Sequence, residues 1–249
     1  MIFSTRGIVL RTVKYGDTSI IATVYTQLFG LQSYLVNGVR TAGKSSTAYL
    51  YQPASILSLQ AYHNELKNLQ RIKEASWSYV YSEVSNHVIR NTVALFIVEL
   101  LQKVIRHEEQ NEELYNFAEK TLLLLDRCVL SEAADIPLIF SLALTEFLGF
   151  KLVNNHSASH PYFNPEEGKF TVEPGDQTIP NDPDFHKLYS ELLSISEFFN
   201  PEQEGNSIPA LKLNGYLRRQ ILRLTETYFR WHIPGFSELK TLQVFEQMA

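Results

Sequence analysis

The sequence predicts an α+β chain of two domains. A five-stranded barrel of the OB-fold type covers residues 1–80, and an all-helical domain covers residues 81–249, interrupted by an irregular insert at about 150–182. Three observations predict this. The first 75 or so residues are short β-branched runs broken by Gly, Asn and Asp turns, the pattern of a small barrel or sandwich. Beyond residue 80 the apolar residues recur at three-and-four spacing, the signature of helices. The charge changes sign at the same place: residues 1–80 hold eight Lys and Arg against three Asp and Glu, a net +5, and the remainder holds fourteen against twenty-four, a net −10. Such a split points to a front end that faces a polyanion.

The elements follow in order. "GIVLRTV" and "SIIATVYTQ" are joined by "KYGD", a hairpin turn. "FGLQSYLVNGV" is the third strand, "PASILSLQAYH" the fourth and "LQRIKEAS" the fifth, the last two joined around His63 and Asn64. Helical periodicity runs near 84–106, 111–130, 135–149, 183–198 and 208–232. Asp135 and Asp182 each precede a proline-containing first turn and are expected N-caps, and Gly149 is expected to end the third helix. The insert "FKLVNNHSASHPYFNPEEGKFTVEPGDQTIPND" is too long for a simple connection, which marks it as functional or a remnant of something functional.

Composition narrows the class. At 45% hydrophobic and 20% charged residues the chain is of soluble, globular type. Its best apolar run, "TVALFIVELLQKVI", carries Glu99 and Lys103 and is too short to span a bilayer, and no signal-peptide pattern opens the chain, so a cytoplasmic location is expected. The single cysteine, Cys128, removes disulfides and four-cysteine metal sites, and its setting in "LLLLDRCVL" is that of a buried, inert thiol.

One stretch tempts a nucleotide reading. "GVRTAGKSS", residues 38–46, matches G-x-x-x-x-G-K-[ST], the pattern of a nucleotide hydrolase using Gly38 to Ser45 with Lys44 as the phosphate ligand. A phosphate loop works because it leaves a strand and opens into a helix whose N-terminal amides hold the anion. Only "SSTAYLYQ" separates Lys44 from Pro53, which leaves no room for a useful helix. The apparent partner aspartate, Asp126 in "LLLLD", continues a helical pattern through Leu114, Phe117, Thr121 and Leu125. Context therefore argues against the hydrolase, and the stretch reads as a basic loop.

The motifs carry a family likeness. "GIVLRTVKYGDTSIIATVYTQLFGLQSYLVNGVR", "GVRTAGKSSTAYLYQPASILSL", "FLGF" followed by "YFNPEEGKF", and "GYLRRQILRLTETYFRWHIPGFSELKTLQVF" together resemble the bacterial DNA repair and recombination mediator family RecO. The resemblance implies a non-enzymatic protein without cofactor that binds single- and double-stranded DNA in the nucleoid. It also implies binding to the acidic C-terminal tail of single-stranded DNA-binding protein (SSB), annealing of complementary strands and, with RecR, help in loading RecA. Many members hold zinc through four cysteines after the "LGF" helix; none stands there in this chain, and His156 and His160 alone make a poor zinc site. The fold is thus expected without the zinc module, its insert held by packing of Tyr162, Phe163 and Phe170.

The chemistry that remains is binding. Arg11 and Lys14 at the first turn, Arg40 and Lys44 on the basic loop, and Lys67, Arg71 and Lys73, read as alternating along the fifth strand, are the expected phosphate contacts. Tyr15, Tyr34, Tyr49 and Tyr51 are either base-stacking platforms or barrel-core residues. In the last long helix Leu217, Ile221, Leu224, Tyr228 and Trp231 form an apolar stripe expected to face the core. Arg219, Arg223 and Arg230 fall within about 40° of one another on the wheel, which suits an acidic peptide with hydrophobic ends. A pure protein-interaction scaffold without DNA binding is the remaining alternative.

Overall fold

The computed structural model describes residues 1–39, 48–105, 109–174, 179–201, 211 and 213–247. Five strands, β1 (Ile2–Tyr15), β2 (Ser19–Thr26), β3 (Gly30–Val36), β4 (Ile56–Tyr62) and β5 (Gln70–Tyr79), close into a barrel in the order β1-β2-β3-β5-β4. That is OB-fold order. Closure rests on a short parallel pairing of β3 with β5, Tyr34 with Gln70 and Leu35 with Arg71; every other pair is antiparallel. Alternate residues point inward, so Val9, Ala22, Val24, Tyr34, Leu57, Leu59 and Ala61 fill the barrel. Gly7 is required by that packing: a Cβ there would lie 2.5 Å from Val24 Cγ1.

Bulges on β1 and β5 reset the alternation. On β1 the register slips between Val9, which is inside, and Arg11, which pairs with Thr23 outside. Had Leu10 been paired regularly instead of bulged, period two would have turned Arg11 into the core. On β5 the register slips at Lys73, between Ile72 opposite Ala61 and Glu74 opposite Gln60, so Lys73 and Glu74 are both exposed.

The chain divides into two compact units that do not follow sequence order. The first comprises Met1–His87 and Ile97–Asp126, the second Val88–Phe96 and Arg127–Ala249. In the first unit the barrel is joined by the later part of α1 (Val88–Val104) and by α2 (Glu112–Arg127). The barrel–helix seam is polar at its centre. Glu119, 2% exposed, accepts from Arg6 Nη1 at 2.6 Å and from the Tyr115 hydroxyl at 3.1 Å. Asp126 clamps the segment after β5: it accepts from the backbone N–H groups of Ser82, Glu83 and Val84 at 2.8–3.0 Å and from the hydroxyls of Tyr79 and Ser82.

The second unit contains α3 (Leu130–Ala133), α4 (Ile136–Phe147), α5 (Pro183–Glu197), α6 (Gly215–His232) and α7 (Lys240–Gln247), with α4 against α5 and α6. Asp182 caps α5 as expected, accepting from Asp184 N at 3.0 Å. Asp135 stands at the N-cap of α4 but makes no capping bond, because its carboxylate is taken by Arg218 Nε at 2.7 Å. Gly149 ends the helix with φ +78°, in the left-handed region. Cys128 is buried, and burial pushes its thiol up to about 11, away from reactivity.

The insert contains a hairpin that the sequence reading left irregular: β6 (Tyr162–Asn164) pairs with β7 (Lys169–Thr171). Phe163 and Phe170 are buried edge-to-face at 5.3 Å, and Phe163 packs on Tyr189 of α5 and Tyr228 of α6. Buried polar groups pin the hairpin. His186 Nδ1 accepts from Phe163 N at 3.0 Å, its Nε2 lies 3.0 Å from Pro180 O, and Asn155 bonds both backbone groups of Phe170. Aromatic packing and these bonds hold the segment together. Excess chelator is therefore expected to leave the melting temperature unchanged, a comparison that calorimetry with and without EDTA makes directly.

Candidate nucleic-acid interface

Cross-strand pairing lays out one continuous outer row around the barrel: Val13, Ile21, Leu35, Arg71, Tyr62 and Ile2, each directly opposite the next. A second row beside it runs Arg11, Thr23, Ser33. Directly opposed residues point to the same face, so Arg11 and Arg71 share the outer surface, with Ile21, Thr23, Ser33 and Leu35 half-buried between them. Around the β2–β3 side Arg71 is three strand spacings from β1, a path of about 14 Å, and by way of β4 it is two. The same face closes toward its other end. Tyr25, 1% exposed, lies against Tyr115 of α2 at 5.8 Å and donates to Asn111 O.

The β4–β5 loop flanks this face. Buried Gln70 ties it together, accepting from Asn64 N and donating to the carbonyls of Asn64 and Lys67 at 2.8 and 2.6 Å. Beneath the loop His63 stacks on Phe29, ring centroids 4.0 Å apart and nearly parallel. A groove of about 980 Å³ opens here, lined by Phe3, Leu35, Tyr62, His63, Lys67 and Arg71 among others. It joins two cations, with the carboxylate of Glu65 also in the lining, to exposed aromatic surface, the combination that tracks a phosphate backbone and stacks bases.

The expected contact residues are placed unequally. Arg71 and Lys73 are exposed on β5, and Glu74 stands beside Lys73. Lys67 is exposed but precedes β5, within the loop, so its alternation with Arg71 along one strand does not hold. Arg11 and Lys14 are both exposed, yet three residues apart they leave β1 on opposite faces, Lys14 opposite buried Ile20 at the barrel mouth. Arg40 and Lys44 lie outside the described residues. Of the tyrosines, Tyr34 and Tyr51 are barrel core at 0% and 3% exposure, while Tyr15 and Tyr49 are open to solvent. Tyr62 was not singled out in the sequence, although its place at the end of an alternating strand, in the outward phase, marks it.

The other expected cationic stripe is on α6. Arg219 lines an apolar cavity of about 160 Å³ with Arg218, Ile89, Val93, Leu222 and Phe245. Arg223 and Arg230 are exposed away from that lining, Arg230 lying 3.3 Å from Glu226. Ile221, Leu224 and Tyr228 face the core as expected, but Trp231 does not: it is 57% exposed. Buried Leu222, Thr225 and Phe229 pull the packed arc of the helix to one side of the expected stripe, and Trp231 falls beyond its edge.

Comparison with known proteins gives this architecture its family. The profile of "Recombination protein O N terminal" matches residues 1–81 and that of "Recombination protein O C terminal" residues 86–243. The chain belongs to the RecO family. Curated relatives named DNA repair protein RecO include those of Bacteroides fragilis, 29% identical over 260 residues, and Flavobacterium psychrophilum, 29% over 251. That of Porphyromonas gingivalis is 29% identical over 259; each alignment spans 100% of this chain and 99% of the relative. RecO membership places the chain in DNA repair and recombination, and the OB-type barrel is a DNA-binding fold.

Two features bear on the chemistry of this chain. The residues of its insert do not fit the zinc site that the family resemblance implies there. No cysteine lies between residues 149 and 182. His156 meets the edge of Phe170 at 5.1 Å, and His160 Nδ1 lies 3.0 Å from Ser159 Oγ. Among the described residues no three His, Cys, Asp or Glu side chains cluster as a metal site. Asp126, the carboxylate that a nucleotide hydrolase would need, sits in helix α2 with both oxygens occupied by the five bonds described above. No helix among the described residues is long and apolar enough to cross a membrane.

Proposed function

We propose that the outer β2–β3 face and the β4–β5 groove bind single-stranded DNA, with Arg11, Lys14, Lys67, Arg71 and Lys73 neutralising phosphates and Tyr62 stacking a base. The carrying observation is the cross-strand row that sets Arg71 between Leu35 and Tyr62, at the mouth of the groove. A surface that screens two strands at once removes their mutual repulsion, which supports annealing of complementary strands and contact with double-stranded DNA. The acidic, hydrophobic-ended tail of SSB fits the cavity beside Arg219, where apolar residues have a pocket and carboxylates a guanidinium. Association with RecR and assistance in RecA loading belong to the same proposal, supported by the family resemblance, and the reading requires no catalysis.

Charge reversal at Arg71 tests this. Arg71 is exposed on the outside of β5, so Arg71→Glu is expected to leave the unfolding midpoint in place. Its affinity for oligo(dT), read by fluorescence anisotropy, should fall by about tenfold, as loss of one phosphate contact plus one repulsion predicts. Unchanged affinity removes the groove from the DNA path. No oligonucleotide binding by the parent protein leaves a protein-interaction scaffold as the function.

A further inference from the structure

We propose that the solvent face of α6 is a second binding surface for single-stranded nucleic acid, with Trp231 as a stacking platform; the proposal rests on the DNA-binding reading above. At 100° per residue, the buried residues of α6 span an arc from about 140° to 340° measured from Arg219, and the remaining arc, about 0° to 120°, carries Tyr216, Arg219, Gln220, Arg223, Thr227, Arg230 and Trp231. Tyr216 and Trp231 are 58% and 57% exposed. They stand near the two ends of a stripe about 22 Å long, with the arginines between them.

The chemistry of this face selects its ligand. The only carboxylate in α6 is Glu226, 5% exposed and turned inward, where it accepts from Leu239 N. Its ion pair with Arg230 is open to water on the arginine side and is worth little. The face is therefore both cationic and aromatic. Planar guanidinium groups neutralise phosphates, and an exposed indole offers a flat ring to any base, which is how strands are held without sequence preference. A short acidic peptide would use the arginines but gains most where its apolar end finds a pocket, and the cavity lies beside Arg219 rather than beside Trp231. The observations favour nucleic acid on this face.

The chain has two tryptophans, Trp77 and Trp231, so Trp77→Phe leaves Trp231 as the sole reporter. Titrating that variant with oligo(dT) should quench the indole emission. In the parent background Trp231→Ala should weaken oligo(dT) binding at least about fivefold, the lower end of what losing one stacked base costs. Trp231→Phe should restore most of the affinity by keeping an aromatic ring. Because the side chain is exposed, all three variants should melt with the parent. Saturating oligo(dT), followed by anisotropy, without any quench would overturn the proposal. So would quenching by an acidic peptide alone with Trp231→Ala unaffected in DNA binding, which assigns the face to a protein tail. Either failure leaves salt-sensitive binding at the barrel intact, and so separates this surface from the barrel reading.

Discussion

Replacing Asp126 by Asn is expected to destabilise the protein by about 3 kcal/mol or more, a large share of the roughly 5–15 kcal/mol that a domain has. The carboxylate is 1% exposed and accepts five hydrogen bonds, three of them from consecutive backbone N–H groups of residues 82–84. An amide is the same size but offers one acceptor oxygen, and its NH2 would face donors that already point inward. At least two donors lose their partner in a buried site. Urea unfolding should show a lower midpoint at unchanged slope, the mark of lost stability rather than altered compactness. An unshifted midpoint would mean that the clamp between the end of β5 and α2 is not as drawn.

The same group sets an acid limit. Burial by itself would raise the Asp126 pKa, but the backbone bonds from Ser82, Val84 and Glu83 and the Tyr79 hydroxyl outweigh it and hold the value at about 2. A folded-state pKa below the unfolded value means that the unfolded chain takes up the proton first as the pH drops. The contribution is complete above the ordinary carboxylate value of 3.8 and disappears as the pH falls from there toward 2. It amounts to about 2 kcal/mol at neutral pH. In Asp126→Asn this part of the acid limb should be missing, so the parent and variant stability curves should converge at low pH.

The second large effect is the response of DNA binding to salt. Five cations at described positions, Arg11, Lys14, Lys67, Arg71 and Lys73, each neutralising one phosphate of a single strand, give a log–log slope of about −3.5. Affinity for oligo(dT) should then fall about a hundredfold between about 50 and 200 mM salt. Each Lys or Arg replaced by Ala should make the slope shallower by about 0.7, whatever the base sequence of the oligonucleotide. The placement of Lys14 at the barrel mouth, away from the face of Arg11, makes it the most informative single replacement. If its removal leaves the slope unchanged, the strand stays on the outer face and does not cross the mouth. A flat response for the parent would mean that phosphates are not what the barrel reads.

Much of this was legible from residues alone, and the reasons are local. Period-two runs between Gly, Asn and Asp turns identify the five strands, because each strand must present one face to a core it shares with its neighbours. Helical spacing after residue 80, the cap at Asp182 and the stop at Gly149 are legible for the same reason. What the sequence left undecided or misplaced has a different cause. Arg11 sits two residues from core Val9 and would be counted inward but for a bulge that only the pairing with β2 reveals. Lys67 looks like the first member of an alternating series, yet Gln70 folds the three residues before it into the loop. Tyr34 and Tyr51 have the same side chain as Tyr15 and Tyr49, and only closure of the barrel decides which pair is inside. The hairpin in the insert escaped notice because its strands are three residues each, too short for any periodicity to register.

By itself the sequence determined that a basic β-barrel precedes an acidic helical remainder, that four-cysteine zinc and disulfide chemistry are excluded, and, through its motifs, that the chain is of RecO type. Those properties depend on composition and on contacts within a few residues. The tertiary structure alone decided which arginines share a face, which tyrosines are core, that Asp135 bonds Arg218 instead of its own helix, and that Trp231 stands in solvent. Each of these depends on partners distant in the chain, brought to hydrogen-bonding or packing distance only when the barrel closes and the helices bury their arcs.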